Sequence, residues 1–264
     1  MASDDSLRKT VTVTGEPRDD VTERLLRDIR LAECQCVLDV GCGRGDVTLM
    51  AARLLGDGAE VVGIDCDAAA VDAAKSRARD LGITNVRFAV LDVGALSPEF
   101  GTFDAIIGRR VLMYVPDRPA ALRALVSVLV PGGIVGFQEA DGSMTPAPPA
   151  LFPLHLQAHR WIWDTVAREG ATTRMGFELP ALLASAGLIV EGVRAEAVVE
   201  LAGLRQFTAS IVRMMLPRIV ARGVSTAEEI DVDTLDGRLA DELARAQSPY
   251  LGGMAFTAWA RKRR

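Results

Sequence analysis

Between Cys36 and Asp141 the chain repeats one pattern, in which a short apolar run alternates with a longer segment that is apolar on one helical face. The runs CVLDVG, EVVGIDCD, VRFAVLD, FDAIIG and IVGFQEA read as strands. DVTLMAARLLG, AAAVDAAKSRARDLG and RPAALRALVSVLV read as helices, the second ending at Gly82 and the third at PGG. Strands apolar on both faces and separated by helices form a parallel sheet covered on both sides, with right-handed crossovers. This predicts an α/β fold, a Rossmann-like doubly wound sheet.

The pattern changes after Asp141. DGSMTPAPPA reads as a loop and LHLQAHRWIWDTVAREG as a helix. ELPALLASAGL is a second helix, returning to a strand at IVEGVRAEAVVEL. A long helical stretch from Gly203 to Tyr250 precedes a last strand, GMAFTAWARKR. At the other end, polar residues to about Glu16 precede a helix with Val21, Leu25, Leu26 and Ile29 at helical spacing. The expected division is an N-terminal segment and helix over 1–36, a cofactor-binding core over 37–141, a cap insertion over 142–175, a continuation of the core over 176–202, a second helical insertion over 203–250 and a final strand over 251–264.

A formal net charge of -5 over 264 residues gives no basic footprint for nucleic acid. Cys34, Cys36, Cys42 and Cys66 do not form two CxxC pairs, so no structural zinc site is expected. The N-terminus has no apolar signal core, and no run approaches the roughly 20 apolar residues needed to span a bilayer. The expectation is a cytoplasmic protein with no membrane partner; oligomeric state is not legible.

The first strand runs into a turn, VLDVGCGRGD, with glycine at positions 41, 43 and 45. Glycines between a strand and a helix permit a tight turn and close approach of a ligand to the backbone. The next two strands also end in acids. Asp65 can accept two hydrogen bonds from a ribose diol, and Asp92 one from an exocyclic amine. Three acids, Asp39, Asp65 and Asp92, at three successive strand ends point to a nucleoside site at the carboxyl edge of the sheet. A nicotinamide fingerprint, G-x-G-x-x-G, needs glycine where this chain has Asp46. Asp39 would repel a pyrophosphate but attract an ammonium. S-adenosylmethionine has an α-amino group, a sulfonium and no phosphate, and fits that charge pattern.

VLDVGCGRGD, VVGIDCD, RFAVLDV, FDAIIGRRVLMYVPD and PGGIVGFQEAD together resemble the successive motifs of class I S-adenosylmethionine-dependent methyltransferases, most closely those of bacterial small-molecule enzymes of specialised metabolism. The resemblance implies a seven-stranded sheet with an antiparallel last strand. It places Asp39 and the backbone of Gly41, Cys42 and Gly43 at the methionine end of the cofactor and Asp65 on the ribose. Asp92 and the Val93 backbone take the adenine, with Cys66 and Val93 against its faces, and Arg109 borders the cofactor. S-adenosylhomocysteine would be the product.

The acceptor is expected under the helical insertions. His155 and His159 lie four apart on one helix face with Trp163 following, a pattern suited to proton transfer and stacking as well as to plain packing. Gln138, Glu139 and Asp141 end the fifth strand and are placed to orient or deprotonate an acceptor; Tyr114 borders the same space. Tyr114, Gln138, His155, His159 and Trp163 are thus the expected substrate residues, and His159, Glu139 and Tyr114 the expected catalytic ones. No metal is expected: Leu156 replaces the Glu of H-E-x-x-H. The implied reaction is displacement of the sulfonium methyl onto a small, possibly aromatic or indole-like acceptor. An RNA or protein methyltransferase and a non-catalytic cofactor-binding protein are the alternatives.

Overall fold

The computed structural model describes residues 17–144 and 151–264. The polar segment before Pro17 and most of the Pro-rich loop after Asp141 lie outside the described residues. Seven strands form one sheet: β1 (Cys36–Val40), β2 (Glu60–Asp65), β3 (Val86–Val90), β4 (Phe103–Arg109), β5 (Leu129–Asp141), β6 (Ile189–Glu200) and β7 (Tyr250–Arg261). Their order is β3-β2-β1-β4-β5-β7-β6. The first five are parallel, and β7 inserts antiparallel between β5 and β6. The order reverses beside β1, the switch point at which an open α/β sheet binds ligands.

The sequence explains the layers. β1, β2 and β4 are buried almost throughout, as strands covered on both faces must be. On one face Val37, Ala105, Ile107 and Ile134 meet α1 (Pro17–Asp28) through Leu25, Leu26 and Ile29, and meet α2 (Asp46–Leu55) through Val47, Ala51 and Ala52. On the other, Leu38, Ile106, Val135 and Phe137 belong to the core shared with α4 (Arg118–Val128) and α6 (Met175–Ser185). Between β2 and β3, α3 (Ala68–Asp80) presents Val71, Ala74 and Ala78 to Phe88. Asp67 caps α3 by accepting the Ala69 N–H at 2.9 Å, and Asp117 caps α4 through Ala120 at 2.9 Å.

Two boundaries differ from expectation. The helix α4 ends at Val128, before PGG, because Leu129 already pairs with Phe103 across a register shift in β4 and β5. The stretch from Gly203 to Tyr250 divides into α7 (Phe207–Ala221), a single turn α8 (Ala227–Ile230) and α9 (Val232–Ala246). Thr226 starts a new helix there. Its hydroxyl accepts the Glu229 N–H while the Glu229 carboxylate accepts the Thr226 N–H. With α5 (Pro153–Arg168), α7 and α9 form a helical layer beside the carboxyl ends of β4 and β5.

Candidate active site

The glycine turn shows a division of labour. Gly41, Gly43 and Gly45 all hold positive φ, at 63°, 52° and 84°. A Cβ on Gly41 would lie 2.5 Å from Val111 Cγ2, and one on Gly45 would press on Ala74 and the Phe88 ring at 3.1 and 3.3 Å. Those two are required by protein packing. A Cβ on Gly43 would meet no described atom within 4 Å beyond its chain neighbours, so the space that a side chain there would fill is open to a ligand. Gly43→Ala is therefore expected to cost only about 1–2 kcal/mol of stability, the left-handed backbone penalty, yet to reduce donor affinity severalfold or more. Denaturant titration and calorimetry on the same variant check both halves. A variant that binds the donor normally would show that nothing approaches this backbone closely.

A cleft of about 480 Å³ opens beside the turn, lined by Gly41, Asp65, Cys66, Asp92, Val93 and Val111 among others. Asp65 sits at the end of β2 with Oδ2 accepting the Gly43 N–H at 2.8 Å and Oδ1 the Asp67 N–H at 2.9 Å. It ties the turn to the strand end, and a carboxylate has lone pairs left for a diol. Asp92 Oδ1 accepts the Gly94 N–H at 2.7 Å and caps the short turn Val93–Ala95; its other oxygen has no such role. Cys66 is exposed and Val93 half-buried, so both present side chains to the cleft.

The residues expected at the methionine end are arranged differently. Asp39 is 1% exposed and lies beneath the turn, with its carboxylate accepting the Thr48 hydroxyl at 2.6 Å. Burial pushes its pKa up to about 7, against the pull of Thr48 and Arg109. Arg109 points to the same face. It donates to Thr22 Oγ1 at 3.2 Å and lies 3.6 Å from Asp46, while Thr22 donates to Gln138 at 2.6 Å. Neither Asp39, Cys42 nor Arg109 is part of the cleft wall described above; Cys42 packs in the cluster of Phe88 and Ala74. Arg110, the residue after Arg109, does line the cleft. Its φ of 56° is uncommon for a residue with a β-carbon, and its side chain lines both the cleft and the cavity beyond it.

That second cavity, about 70 Å³, lies between the ends of β4, β5 and β7 and the helices α5 and α7. Tyr114, Gln138, Glu139, Asp141, His159 and Trp163 all line it, although they come from three separate stretches of sequence. Tyr114, 41% exposed, also lines the first cleft. It is held from the cap side by Arg218, which donates to its hydroxyl at 3.0 Å, lies over its ring and pairs with Glu169.

Glu139 is 1% exposed. Its Oε1 accepts the N–H groups of Val111 and Leu112 at 3.1 and 2.8 Å, and its Oε2 has no hydrogen-bond partner among the described residues. Burial raises its pKa to about 7, against those backbone donors and Arg110. Burial holds His159 below its ordinary value, so the ring is neutral near pH 7. His155 is the exception among the expected substrate residues. It is fully buried, with Nδ1 2.6 Å from Glu242 Oε2 and its ring against Tyr250, and it does not line the cavity. Successive i, i+4 positions on an α-helix drift by about 40°. That rotation turns α5 from α9 at His155 to the cavity at His159 and Trp163. Among the described residues no three His, Cys, Asp or Glu side chains converge as a metal site, and no helix is long and apolar enough to cross a membrane.

Residues 34–175 match the family model described as a methyltransferase domain. Nocamycin O-methyltransferase of Saccharothrix syringae is 34% identical over 185 residues, covering 64% of this chain and 61% of that protein. Aklanonic acid methyltransferase DauC of Streptomyces sp. (strain C5) is 31% identical over 125 residues, covering 46% and 57%. The chain spans about half the length of the curated relatives it matches. Among solved structures, a putative methyltransferase from Bacillus halodurans superposes with a TM-score of 0.61 at 16% identity, covering 93% of this chain and all of that one. The cyclase SpnF superposes at 0.56 with 22% identity, covering 93% and 80%. These likenesses concern the fold, which hosts more than one reaction. With more than half of its length matched by the domain model, the chain belongs to the methyltransferase domain family.

Proposed function

We propose that this chain transfers the methyl group of S-adenosylmethionine to a small-molecule acceptor held in the second cavity. The observation that carries the reading is the junction of the two spaces. A nucleoside-sized cleft edged by Asp65 and Asp92 meets, at Arg110 and Tyr114, a mostly apolar cavity containing a buried carboxylate. The donor's ribose would lie on Asp65 and its adenine amine near Asp92. Gly43 leaves room for the methionine portion, and the buried Asp39–Thr48 pair supports the turn from below.

The sulfonium methyl is already activated, so the protein's contribution is mainly alignment and exclusion of water, which is worth roughly 7–11 kcal/mol in favourable systems. The acceptor's O–H or N–H would give its proton to Glu139 Oε2 as the heteroatom attacks the methyl in line with the departing sulfur. His159, neutral near pH 7, and Trp163 supply wall and orientation. The relatives named for nocamycin and aklanonic acid support an acceptor from specialised metabolism. An aromatic acceptor suits Trp163 and Tyr114. The formal net charge of -5 favours a small molecule over RNA.

The reading is tested by incubating the intact chain with methyl-labelled S-adenosylmethionine and a panel of phenolic, enolic and amine acceptors, following S-adenosylhomocysteine and labelled product by mass spectrometry. Acceptor-dependent formation of both is expected. Donor binding without turnover on any acceptor class would instead support a non-catalytic cofactor-binding protein.

A further inference from the structure

Beneath the second cavity lies a chain of buried polar groups that the methyl transfer does not use. Thr208, 3% exposed at the start of α7, lines the cavity. Glu200, at the end of β6, accepts both the Thr208 N–H at 3.2 Å and the Thr208 hydroxyl on the same oxygen, Oε1. The backbone N–H, which can only donate, marks Oε1 as the accepting oxygen of Glu200, and the Thr208 hydroxyl within reach of that same oxygen directs its proton there. The Thr208 oxygen has only lone pairs left to offer the cavity.

Glu200 is itself confined. Its Oε2 faces His155 Nε2 at 4.0 Å, and His155 Nδ1 is 2.6 Å from Glu242 Oε2. Glu242 in turn accepts the N–H groups of Leu154 and His155 at 2.8 and 3.1 Å. Gly252 of β7 covers the pair so closely that a Cβ there would stand 2.5 Å from Glu200 Oε1. Across the same cavity, Glu139 Oε2 is buried and makes no hydrogen bond to a described residue. Much of the wall between is apolar, with Met113, Phe207, Ile211 and Met215.

We propose that Thr208 is a specificity residue that reads a second hydrogen-bond donor on the acceptor, so that the substrate carries, apart from the group at Glu139, an O–H or N–H rather than a carboxylate at this position. The proposal rests on the methyl-transfer reading only in taking this cavity as the acceptor's. A ligand bearing a carboxylate at Thr208 would set lone pairs against lone pairs. Arg110 is the cavity's cationic side chain and stands at the donor end, away from this requirement.

Three probes built on one phenol ring distinguish the outcomes: phenol, resorcinol (a second hydroxyl) and 3-hydroxybenzoate (a carboxylate in its place). Their affinities for the intact chain, saturated with S-adenosylhomocysteine, are read by NMR titration. Resorcinol is expected to bind about three- to tenfold more tightly than phenol, the worth of one added hydrogen bond, and 3-hydroxybenzoate more weakly than phenol. Thr208→Val, nearly isosteric, should remove the resorcinol advantage, and Thr208→Ser should retain it, with S-adenosylhomocysteine affinity unchanged in both. Equal binding of phenol and resorcinol, preference for 3-hydroxybenzoate, unaltered ranking in Thr208→Val, or no binding of either phenol would overturn the proposal. No methyl transfer is needed for the measurement. A chain that ranks the probes as expected but never turns over would therefore fail the catalytic reading and not this one.

Discussion

Glu139→Gln is expected to lower turnover by about 10²–10⁴-fold while leaving S-adenosylmethionine affinity unchanged. The substitution suits the site, because a glutamine carbonyl can still accept the Val111 and Leu112 N–H groups that Oε1 now accepts. What is lost is the basic oxygen in the cavity. Burial places the Glu139 pKa at about 7, near the optimum for a base working at neutral pH. A base acts deprotonated, so wild-type turnover should rise with pH through about 7 and then level, and the variant should lack that limb. The same shift has the opposite consequence for stability. A carboxyl whose folded pKa is raised contributes stability that is present below its unfolded pKa and lost as pH climbs through the folded one. The wild-type chain should thus lose more stability than Glu139→Gln between about pH 4.5 and 7. Unchanged turnover in Glu139→Gln would mean that alignment alone carries the reaction.

The parallel half of the fold is legible in the sequence because its strands are buried on both faces. CVLDV and EVVGID cannot be solvent-facing strands, and each is followed by a segment of helical period. The break between α7 and α8 was legible in principle, since Thr226 and Glu229 form the capping-box pattern. The apolar spacing on either side masked it. The donor cleft follows from the strand ends, because in a parallel sheet all carboxyl ends share one edge. Asp65, Cys66, Asp92 and Val93 accordingly meet there.

The second cavity is legible only in part. Glu139, Tyr114, His159 and Trp163 reach it, but Thr208 and Gly252 arrive from elements whose placement depends on how the cap packs. Nothing in their local sequence marks them. The left-handed backbone at Arg110, which brings that residue to both spaces, is not marked in the sequence. The separation of His155 from His159 reflects Glu242, a residue 87 positions away that captures the first imidazole.

The second large effect concerns Asp65. Its carboxylate holds the Gly43 and Asp67 N–H groups and edges the cleft, so its loss removes a charged acceptor from the ribose and loosens the turn. Losing a hydrogen bond to a charged group costs roughly 1.5–3 kcal/mol, about tenfold to over a hundredfold in affinity. Calorimetric titration of the wild-type chain and of Asp65→Ala with S-adenosylmethionine and with a nicotinamide dinucleotide tests the central claim most directly. One S-adenosylmethionine per chain, weakened at least tenfold by the substitution in a variant that keeps its fold, is the predicted result. Tight binding of the nicotinamide dinucleotide, or S-adenosylmethionine affinity indifferent to Asp65, would contradict it.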